Sequence, residues 1–355
     1  MYVVDAHQDI AFNYICFGRD YRRSALKKRQ MERGTQAPEI NGSVTTGLPE
    51  AIAGRVALTF ATLFVAPSST KPGPWENLVY KDAQSAYQLA MKQMDYYKQL
   101  IDEDDRLRII TTEAQLDAVL ATWEPEKTLK ERVQGLVILM ENADPIIEPK
   151  QFEEWYELGV RIVGPAWKGT RYSGGTTAPG PLTPLGFELL DVMAGLNAIL
   201  DLSHMAEKAY LQAVDRYEGT IIASHSNPRA FCNADRHLSD EMILKLAERD
   251  GVMGIVMSNF FLNDKWTNSD GKHAVKLSTV LDAIDHVCQL TGSAAHVGLG
   301  SDFDGGFGVE NIPSEFDTVA DLWKVKAGLA ARGYSEDDIA AVLGGNMTRK
   351  LREVL

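Results

Sequence analysis

Histidines and carboxylates occur at short, regular spacings in five segments of this sequence. The segments are DAHQD with His7 and Asp9, GLVILME ending at Glu141, DLSH ending at His204, SHS with His225, and GSDFD with Asp302. Residues two apart on an extended segment point to the same side, so His7 and Asp9 could bind one ion. Imidazole and carboxylate ligands without a thiolate are typical of hydrolytic zinc, manganese or iron sites. The residue types therefore indicate metal-assisted hydrolysis.

Each of these residues also has an ordinary structural interpretation. A lone histidine on an apolar run is more often a hydrogen-bonded core residue than a ligand. Asp5 or Asp9 could cap a helix, Glu141 could pair with an arginine, and Asp302 could begin the next helix. Their coincidence favours function, because three of the seven histidines fall, together with acidic residues, at the same end of predicted strands.

Glu141 carries much of this interpretation because it follows a nearly all-apolar run. An unpaired buried carboxylate costs several kcal/mol or becomes neutral, and metal coordination removes that penalty. The ligands suffice for two ions, with His7 and Asp9 on one, His204 and His225 on the other, and Glu141 bridging. Two such ions would hold a bridging hydroxide and polarise a carbonyl. We expect Asp302 to orient that water and to pass its proton to the leaving amine.

Eight short apolar, β-branched runs alternate with stretches of helical period, as in βα units around a parallel sheet. The runs are residues 2–4, 56–65, 136–140, 160–163, 198–202, 220–223, 252–257 and 296–299. Most are continuously apolar, as expected of strands that are covered on both faces. The pattern predicts an α/β fold, a (β/α)₈ TIM-type barrel, in which the active site lies at the C-terminal ends of the strands.

The remaining sequence predicts helices and insertions around this barrel. Helices are expected over residues 83–101 and 277–290, and a final pair follows Phe316, with Gly333 as a C-cap between its members. A TIM barrel usually has about 250 residues, so roughly a hundred must be insertions. The candidate insertions are residues 17–55 and 173–184. Without a repeat or a linker, one domain over residues 1–355 is predicted.

Composition excludes several classes of protein. The chain has 36 basic and 49 acidic residues, a formal net charge of −13, and 45% hydrophobic residues. This balance is that of a soluble globular protein, and it argues against nucleic acid and anionic membranes as partners. Three distant cysteines fit a reducing compartment. No apolar window of membrane length and no signal-like N-terminus occurs, so a cytoplasmic location is expected.

With these residues identified, the sequence resembles the renal (membrane) dipeptidase family of dinuclear zinc peptidases on an amidohydrolase-like barrel. The resemblance covers nearly the whole chain. It rests on six motifs in the family's order: HQD at His7, the lone Glu141, DLSH ending at His204, SHS around His225, GLGSDFDG from Gly298, and GGNMTRKLREV from Gly344.

The resemblance implies two Zn²⁺ ions per chain and a role for each motif residue. The implied zinc ligands are His7, Asp9, Glu141, His204 and His225. Asp302 would be the acid and base near the bridging water. Arg236 would bind the substrate's free carboxylate, for which a guanidinium is well suited. The alternative is a surface arginine paired with Asp235 or Asp240. Asn259 falls where the family has substrate-pocket residues, and a homodimer is expected.

One position departs from the family pattern. After the fourth strand the family has a histidine that contacts the substrate carbonyl, whereas this sequence has Trp167. Tryptophan offers an N–H donor but cannot titrate. The leading prediction is a zinc dipeptidase acting on small dipeptides, some with a D-residue on the leaving side. The alternatives are an amidohydrolase of another small amide or ester, such as an N-acyl amino acid or a lactone, and a non-catalytic metal-binding barrel.

Overall fold

Eight parallel strands close into a barrel in the computed structural model, which describes residues 1–71 and 73–355. The barrel strands are β1 (Val3–Gln8), β2 (Val56–Leu63), β3 (Gln134–Met140), β4 (Val160–Val163), β5 (Ile199–Asp201), β6 (Ile221–Ser226), β7 (Val252–Ile255) and β8 (Val297–Leu299). Each strand pairs with its neighbours in sequence, and β8 pairs with β1, which closes the sheet. The predicted (β/α)₈ barrel is confirmed.

The strands differ from the predicted runs mainly at their C-terminal ends. β1 continues to Gln8, which pairs with Ala61, and β6 continues to Ser226, which pairs with Ile255. The apolar pattern stops earlier because the last residues are polar, yet their backbones remain in the sheet. His7 and His225 therefore lie within strands rather than after them.

Helices surround the barrel. They are α1 (Ile10–Phe17), α2 (Ala25–Met31), α3 (Ala37–Asn41), α4 (Leu48–Ala53), α5 (Ala83–Glu103), α6 (Glu113–Ala121), α7 (Phe152–Glu157), α8 (Pro184–Gly195), α9 (Glu207–Arg216), α10 (Asp240–Glu248), α11 (Asn259–Leu262), α12 (Leu277–Thr291), α13 (Lys324–Ala331), α14 (Glu336–Ala340) and α15 (Asn346–Arg352). The predicted helices at α5 and α12 are confirmed. None of the described helices is long and apolar enough to cross a membrane.

The C-terminal helices follow the predicted pair in outline. Gly333 lies just beyond α13 with φ of 87°, a left-handed conformation that glycine adopts without steric cost. After it, α14 continues through a π-helical turn over Ala341–Gly345 into α15, so the second predicted helix is one almost unbroken helical stretch.

Both predicted insertions have their own structure. Residues 17–55 contain α2, α3 and α4, and residues 173–184 form an antiparallel hairpin of Ser173–Gly175 with Ala178–Leu182. The segment between β2 and α5 is a further excursion, with short strands Ala66–Pro67 and Val79–Tyr80 pairing in parallel. A ninth strand, Leu107–Ile109, pairs with β3 outside the closed barrel.

Candidate metal centre and active site

The six predicted metal-site residues converge at the C-terminal end of the barrel. On one side, His7 Nε2 lies 3.7 Å from Glu141 Oε2 and 3.9 Å from Asp9 Oδ1. The same nitrogen is 3.9 Å from Asp302 Oδ1. All four side chains are buried.

The other carboxylate oxygen of Glu141 faces two further predicted ligands, His204 and His225. Oε1 of Glu141 lies 3.3 Å from His204 Nε2 and 3.8 Å from His225 Nε2. The potential ligand atoms form three overlapping groups, each within 4.8 Å. One joins His7, His225 and Asp302, and Glu141 belongs to the other two, with His7 and Asp9 and with His204 and His225. The carboxylate of Glu141 thus lies between these last two groups, as a bridging ligand must.

Hydrogen bonds on the outer nitrogens of the two later histidines orient their lone pairs. The Ser224 hydroxyl donates to Asp201 Oδ2 at 2.5 Å, so it must accept from His225 Nδ1 at 2.8 Å. The Thr176 hydroxyl reaches the His204 carbonyl at 3.5 Å and lies 3.0 Å from His204 Nδ1. With both protons on Nδ1, the two Nε2 atoms present lone pairs toward each other.

This arrangement fits a bound cation. The two Nε2 atoms are 3.1 Å apart, and facing lone pairs at that distance repel unless a cation or a proton lies between them. Among the described residues, both ring nitrogens of His7 and Oε2 of Glu141 are buried without a hydrogen-bond partner. Such unmet groups cost about 1–3 kcal/mol each, and coordination would satisfy them. The donor set matches zinc in type.

The pKa shifts of these histidines and carboxylates also indicate that the site needs a bound cation. Burial raises the pKa of Glu141 well above its usual range, and the negative charges of Asp9 and Asp302 raise it further. Burial also raises the pKa of Asp302 strongly and that of Asp9 to about 6. Burial lowers the pKa of His7, His204 and His225, because their charged forms lose hydration. A divalent cation would reverse the carboxylate shifts.

Asp302 is held by the turn that follows β8. Its φ is 58°, and that of His204 is 65°, so both residues adopt the left-handed conformation that is costly for side-chain-bearing residues. Ser301 donates from its backbone N–H and its hydroxyl to Asp5, at 2.7 and 2.6 Å, which ties this turn to β1. A Cβ added to Gly305 would lie 2.0 Å from Asp302 Oδ1, so the turn needs glycine there.

Asp304 lies two residues beyond Asp302 and has a structural role. Its carboxylate accepts hydrogen bonds from the backbone N–H and hydroxyl groups of Thr45 and Thr46, at 2.6 to 3.1 Å. These bonds attach the 17–55 insertion to the barrel end. One carboxylate of the GSDFD motif thus faces the ligand cluster, while the other anchors a surrounding segment.

Arg236 is buried rather than exposed on the surface. One Nη donates to the His225 carbonyl at 2.7 Å, whereas Nε and the other Nη lack partners in the described chain. Asp235 instead accepts from the Thr177 backbone, and Asp240 pairs with His286. The surface ion-pair alternative for Arg236 is therefore wrong, and its guanidinium retains free donors beside the cluster.

The region after β7 differs in detail from the expectation. Asn259 is fully buried as the first residue of α11, and its two amide atoms lack partners within the described residues. Ser258, one residue earlier, lines the central cavity and Asn259 does not. His237, next to Arg236, is also buried with unpartnered ring nitrogens and packs edge-to-face on Phe261.

A cavity of about 620 Å³ opens over the ligand cluster. Its floor includes Asp9, Glu141, His204 and Asp302, and Arg236 lies at its side. Its wall is largely aromatic: Phe12, Phe64, Trp75, Trp167, Phe260, Phe261 and Phe307. This volume suits a small organic substrate, and the aromatic wall excludes water from the reacting groups.

Trp167 belongs to this wall. Its ring packs edge-to-face against Phe64, with centroids 5.0 Å apart, and lies 6.4 Å from the His204 ring. Trp167 therefore lies beside the predicted metal ligands. The side chain can shape the cavity, but it cannot carry a proton as a histidine could.

Several residues around the site were not singled out by sequence reasoning. Thr62 on β2 donates a short hydrogen bond to Asp9, and Thr176 in the hairpin contacts His204. Ser224 and Asp201 lay inside motifs, where their polar character on buried strands was a usable signal. Thr62 and Thr176 carry no such signal, because ordinary threonines in strands and turns look the same.

A closed parallel barrel with histidine and carboxylate donors at its C-terminal end is typical of metal-dependent hydrolases. A family model described as membrane dipeptidase, peptidase family M19, matches residues 1–355. The chain belongs to this family.

Individual relatives agree with that assignment. An uncharacterized protein in the pqqA 5' region of Klebsiella pneumoniae is 31% identical over 276 residues, 74% of this chain and 95% of that protein. Dipeptidase tcpJ of Claviceps purpurea is 34% identical over 211 residues, which cover 56% of this chain and 46% of that protein. The match thus spans less than half of the Claviceps protein.

A solved structure has the same fold. The metallo peptidase from Rhodobacter sphaeroides, liganded with a phosphinate mimic of the dipeptide L-Ala-D-Ala, superposes with a TM-score of 0.79 at 22% identity. The superposition covers 100% of this chain and 99% of that chain.

Proposed function

We propose that this protein is a zinc dipeptidase that hydrolyses the peptide bond of small dipeptides and binds two Zn²⁺ ions. The observation that carries the proposal is the position of Glu141, whose two oxygens face separate donor groups, His7 on one side and His204 with His225 on the other. Membership of the membrane dipeptidase family supports the substrate class.

Side chains of this chain would balance the charge of the ions and transfer the proton. When bound, the two zinc ions would supply Lewis acidity, which activates the attacking water and polarises the scissile carbonyl. Glu141 and Asp9 would provide the negative charge that balances the ions. Asp302, which faces the cluster with Oδ1 3.9 Å from His7 Nε2, would hold the proton at a carboxylate oxygen and deliver it to the leaving amine.

Arg236 would bind the substrate's C-terminal carboxylate. Its Nη1 group has no partner in the described chain and could donate to that carboxylate in a charge-assisted ion pair. Because the arginine is buried, it forms this pair in a poorly hydrated setting, where charge-assisted hydrogen bonds are strong. Trp167 and its aromatic neighbours would enclose the substrate and exclude bulk water.

Two further proposals concern the cellular location and the oligomeric state of the enzyme. We propose a cytoplasmic location, because the three cysteines, Cys16, Cys232 and Cys288, are free thiols, as expected in a reducing compartment. We also propose a homodimer, on the basis of the family resemblance.

Metal analysis together with a substrate panel tests the proposal. The purified chain is stripped with a chelator, reloaded with Zn²⁺, and assayed on L,L- and L,D-dipeptides beside N-acyl amino acids and lactones. We expect chelation to abolish dipeptide hydrolysis and zinc to restore it at two ions per chain. Full activity in a metal-free preparation would refute the metal requirement.

The amidohydrolase alternative is favoured by one observation, the tryptophan at position 167. Without a titratable side chain there, the substrate carbonyl has no partner at this position that can carry a proton, and a more reactive ester or a different amide would need one less. Zinc-loaded protein that hydrolyses N-acyl amino acids or lactones but no dipeptide would establish this alternative.

A further inference from the structure

Glu76 is an acidic residue in the central cavity that the metal site does not use. It lies in the excursion between β2 and α5, on the same cavity that Asp9, Glu141 and Arg236 line. The side chain is half-buried beside Trp75 and opens into the space above the ligands. It therefore belongs to the part of the cavity that a bound substrate would occupy.

The carboxylate of Glu76 has little to compensate its charge. Among the described residues, its one hydrogen bond comes from the Cys16 thiol, with Sγ 3.9 Å from Oε1, and thiols are weak donors. It forms no ion pair with the residues that the structure describes, although Lys168 lines the same cavity. An anion in an apolar wall without a cationic partner is costly unless a ligand supplies the cation.

The acidic Glu76 and the basic Arg236 line the cavity from different segments of the chain. Burial and the negative charge of Asp9 raise the pKa of Glu76 to about 7. Glu76 follows β2 and contacts Cys16 of α1, whereas Arg236 follows β6 and donates to the His225 carbonyl, so the two groups enter the cavity from different sides of the barrel. The ligand cluster lies between an acidic and a basic group.

We propose that the Glu76 carboxylate accepts a hydrogen bond from the free α-ammonium group of the substrate, while the Arg236 guanidinium donates to the substrate's carboxylate. This inference rests on the proposed dipeptidase function. A dipeptide is a zwitterion whose charged ends are about 7 Å apart when extended, with the scissile bond between them. The order of charges in the cavity matches that order of groups. N-acyl amino acids and lactones lack the ammonium group, so Glu76 would discriminate against both.

Matched substrates isolate this contact. The test uses the zinc-loaded full chain with L-Ala-L-Ala and L-Ala-D-Ala, and with N-propionyl-L-alanine and N-propionyl-D-alanine. Each propionyl compound differs from its dipeptide only by the missing amino group. Wild type is compared with Glu76→Gln, with Glu76→Asp, and with Glu126→Gln, which removes an exposed carboxylate away from the cavity.

In Glu76→Gln we expect the KM for the dipeptides to rise about 10- to 100-fold, the usual value of a charge-assisted hydrogen bond, with kcat little changed. Binding of the propionyl compounds, measured as inhibition constants where turnover is slow, should not change. Glu76→Asp keeps the charge but withdraws it, so it should show a smaller rise of the same selectivity. Glu126→Gln should match wild type.

The possible results distinguish the role of Glu76 from the dipeptidase function. Equal losses for dipeptides and propionyl compounds, or no loss for either, would overturn the role of Glu76 and leave the dipeptidase function intact. A wild-type enzyme that hydrolyses no dipeptide would overturn both. Metal content and thermal denaturation establish that each variant is folded. If Glu76→Gln does not fold, the selectivity of Glu76→Asp decides the question.

Discussion

The floor and the wall of the cavity are built in different ways. The floor is the ligand cluster with Asp302, and its side chains project from the ends of β1, β3, β5, β6 and β8. Hydrogen bonds hold it. Thr62 of the neighbouring β2 donates to Asp9, and His225 is bonded to Ser224, whose hydroxyl donates in turn to Asp201 on β5. The wall is the aromatic set with Glu76, and its members come mostly from the segments that connect the strands.

This difference separates reaction from substrate choice. Ligand positions are tied to the geometry of a closed barrel, which leaves little freedom for variation. Connecting segments tolerate insertion and substitution, and binding specificity often resides in them. A change in the floor should therefore lower activity on all substrates by one factor, whereas a change in the wall should alter the ratio between substrates.

The largest effect is expected from Glu141→Gln. The amide cannot supply the charge that both donor groups share, so neither ion should be retained. We expect hydrolysis of every substrate to fall below detection and bound zinc to fall with it, measured by elemental analysis of folded protein. A variant that keeps both ions would refute the bridging position of Glu141.

Asp302→Asn should separate proton transfer from metal binding. The isosteric amide cannot hold or donate the transferred proton, so kcat should fall by about 10²–10⁴-fold on all substrates. Zinc content should remain that of wild type. An unchanged kcat would refute the acid and base role. Absence of any hydrolysis by the zinc-loaded wild-type protein would favour the non-catalytic barrel.

Ser224→Ala probes the support of the floor. Loss of the hydroxyl removes the partner of His225 Nδ1 and frees the imidazole to rotate or change tautomer. Zinc affinity should fall by about 10- to 100-fold, measured by competition with a chelator. Ser226→Ala on the same strand is the matched control, since its hydroxyl contacts the Arg236 carbonyl and no ligand. Equal losses in both variants would indicate a general packing effect.

The pH dependence of zinc binding should reflect the carboxylates. The pKa values of the ligand histidines are lowered, so their protons are already absent near neutral pH, whereas the pKa of Asp9 is raised to about 6. Zinc must displace the carboxyl proton, so affinity should rise by about tenfold per pH unit for each proton released below pH 6. Competition titrations at several pH values measure this slope, and a flat profile would contradict it.

The same group sets a stability trend for the metal-free protein. Folded Asp9 binds its proton more tightly than the unfolded chain does, so its stabilising contribution is present below the unfolded value of 3.8 and is lost as the pH rises through about 6. Added zinc should reverse the trend, and thermal denaturation with and without zinc measures both. A zinc-induced stabilisation that shrinks between pH 5 and 7 would contradict this account.

The smallest effect is expected in the wall. Trp167→Phe removes part of an aromatic contact with Phe64 and leaves the ligands in place. The ratio of activities on dipeptides with large and small side chains should shift by about two- to tenfold, with zinc binding unchanged. If all substrates lost activity by one factor, Trp167 would act on the floor, and the division between floor and wall would fail at this residue.

The sequence predicted the floor better than the wall for a physical reason. His7, Glu141, His204 and His225 each end an apolar run, and parallel barrel strands bring such ends together. The strand ends differed by up to four residues, as at β1, because backbone pairing continues under polar side chains. The local pattern of apolar residues does not predict that backbone pairing.

The wall could not be predicted because its contacts join distant segments. Thr176 reaches His204 across 28 residues, and the Glu76 segment meets α1 at Cys16 across 60. After β7, Ser258 faces the cavity instead of the neighbouring Asn259, because the short helix α11 begins there and turns Asn259 into the core. Whether a given loop residue faces a cavity depends on packing that no spacing encodes.

The left-handed backbone at His204 and Asp302 places this site in conflict with selection for heat resistance. Each such conformation costs about 1–3 kcal/mol, which glycine would recover. A screen that rewards only a higher melting temperature would therefore enrich glycine at both positions and discard one proposed zinc ligand and the proposed proton carrier. Thermostable variants of this enzyme have to be sought in libraries that keep both codons fixed.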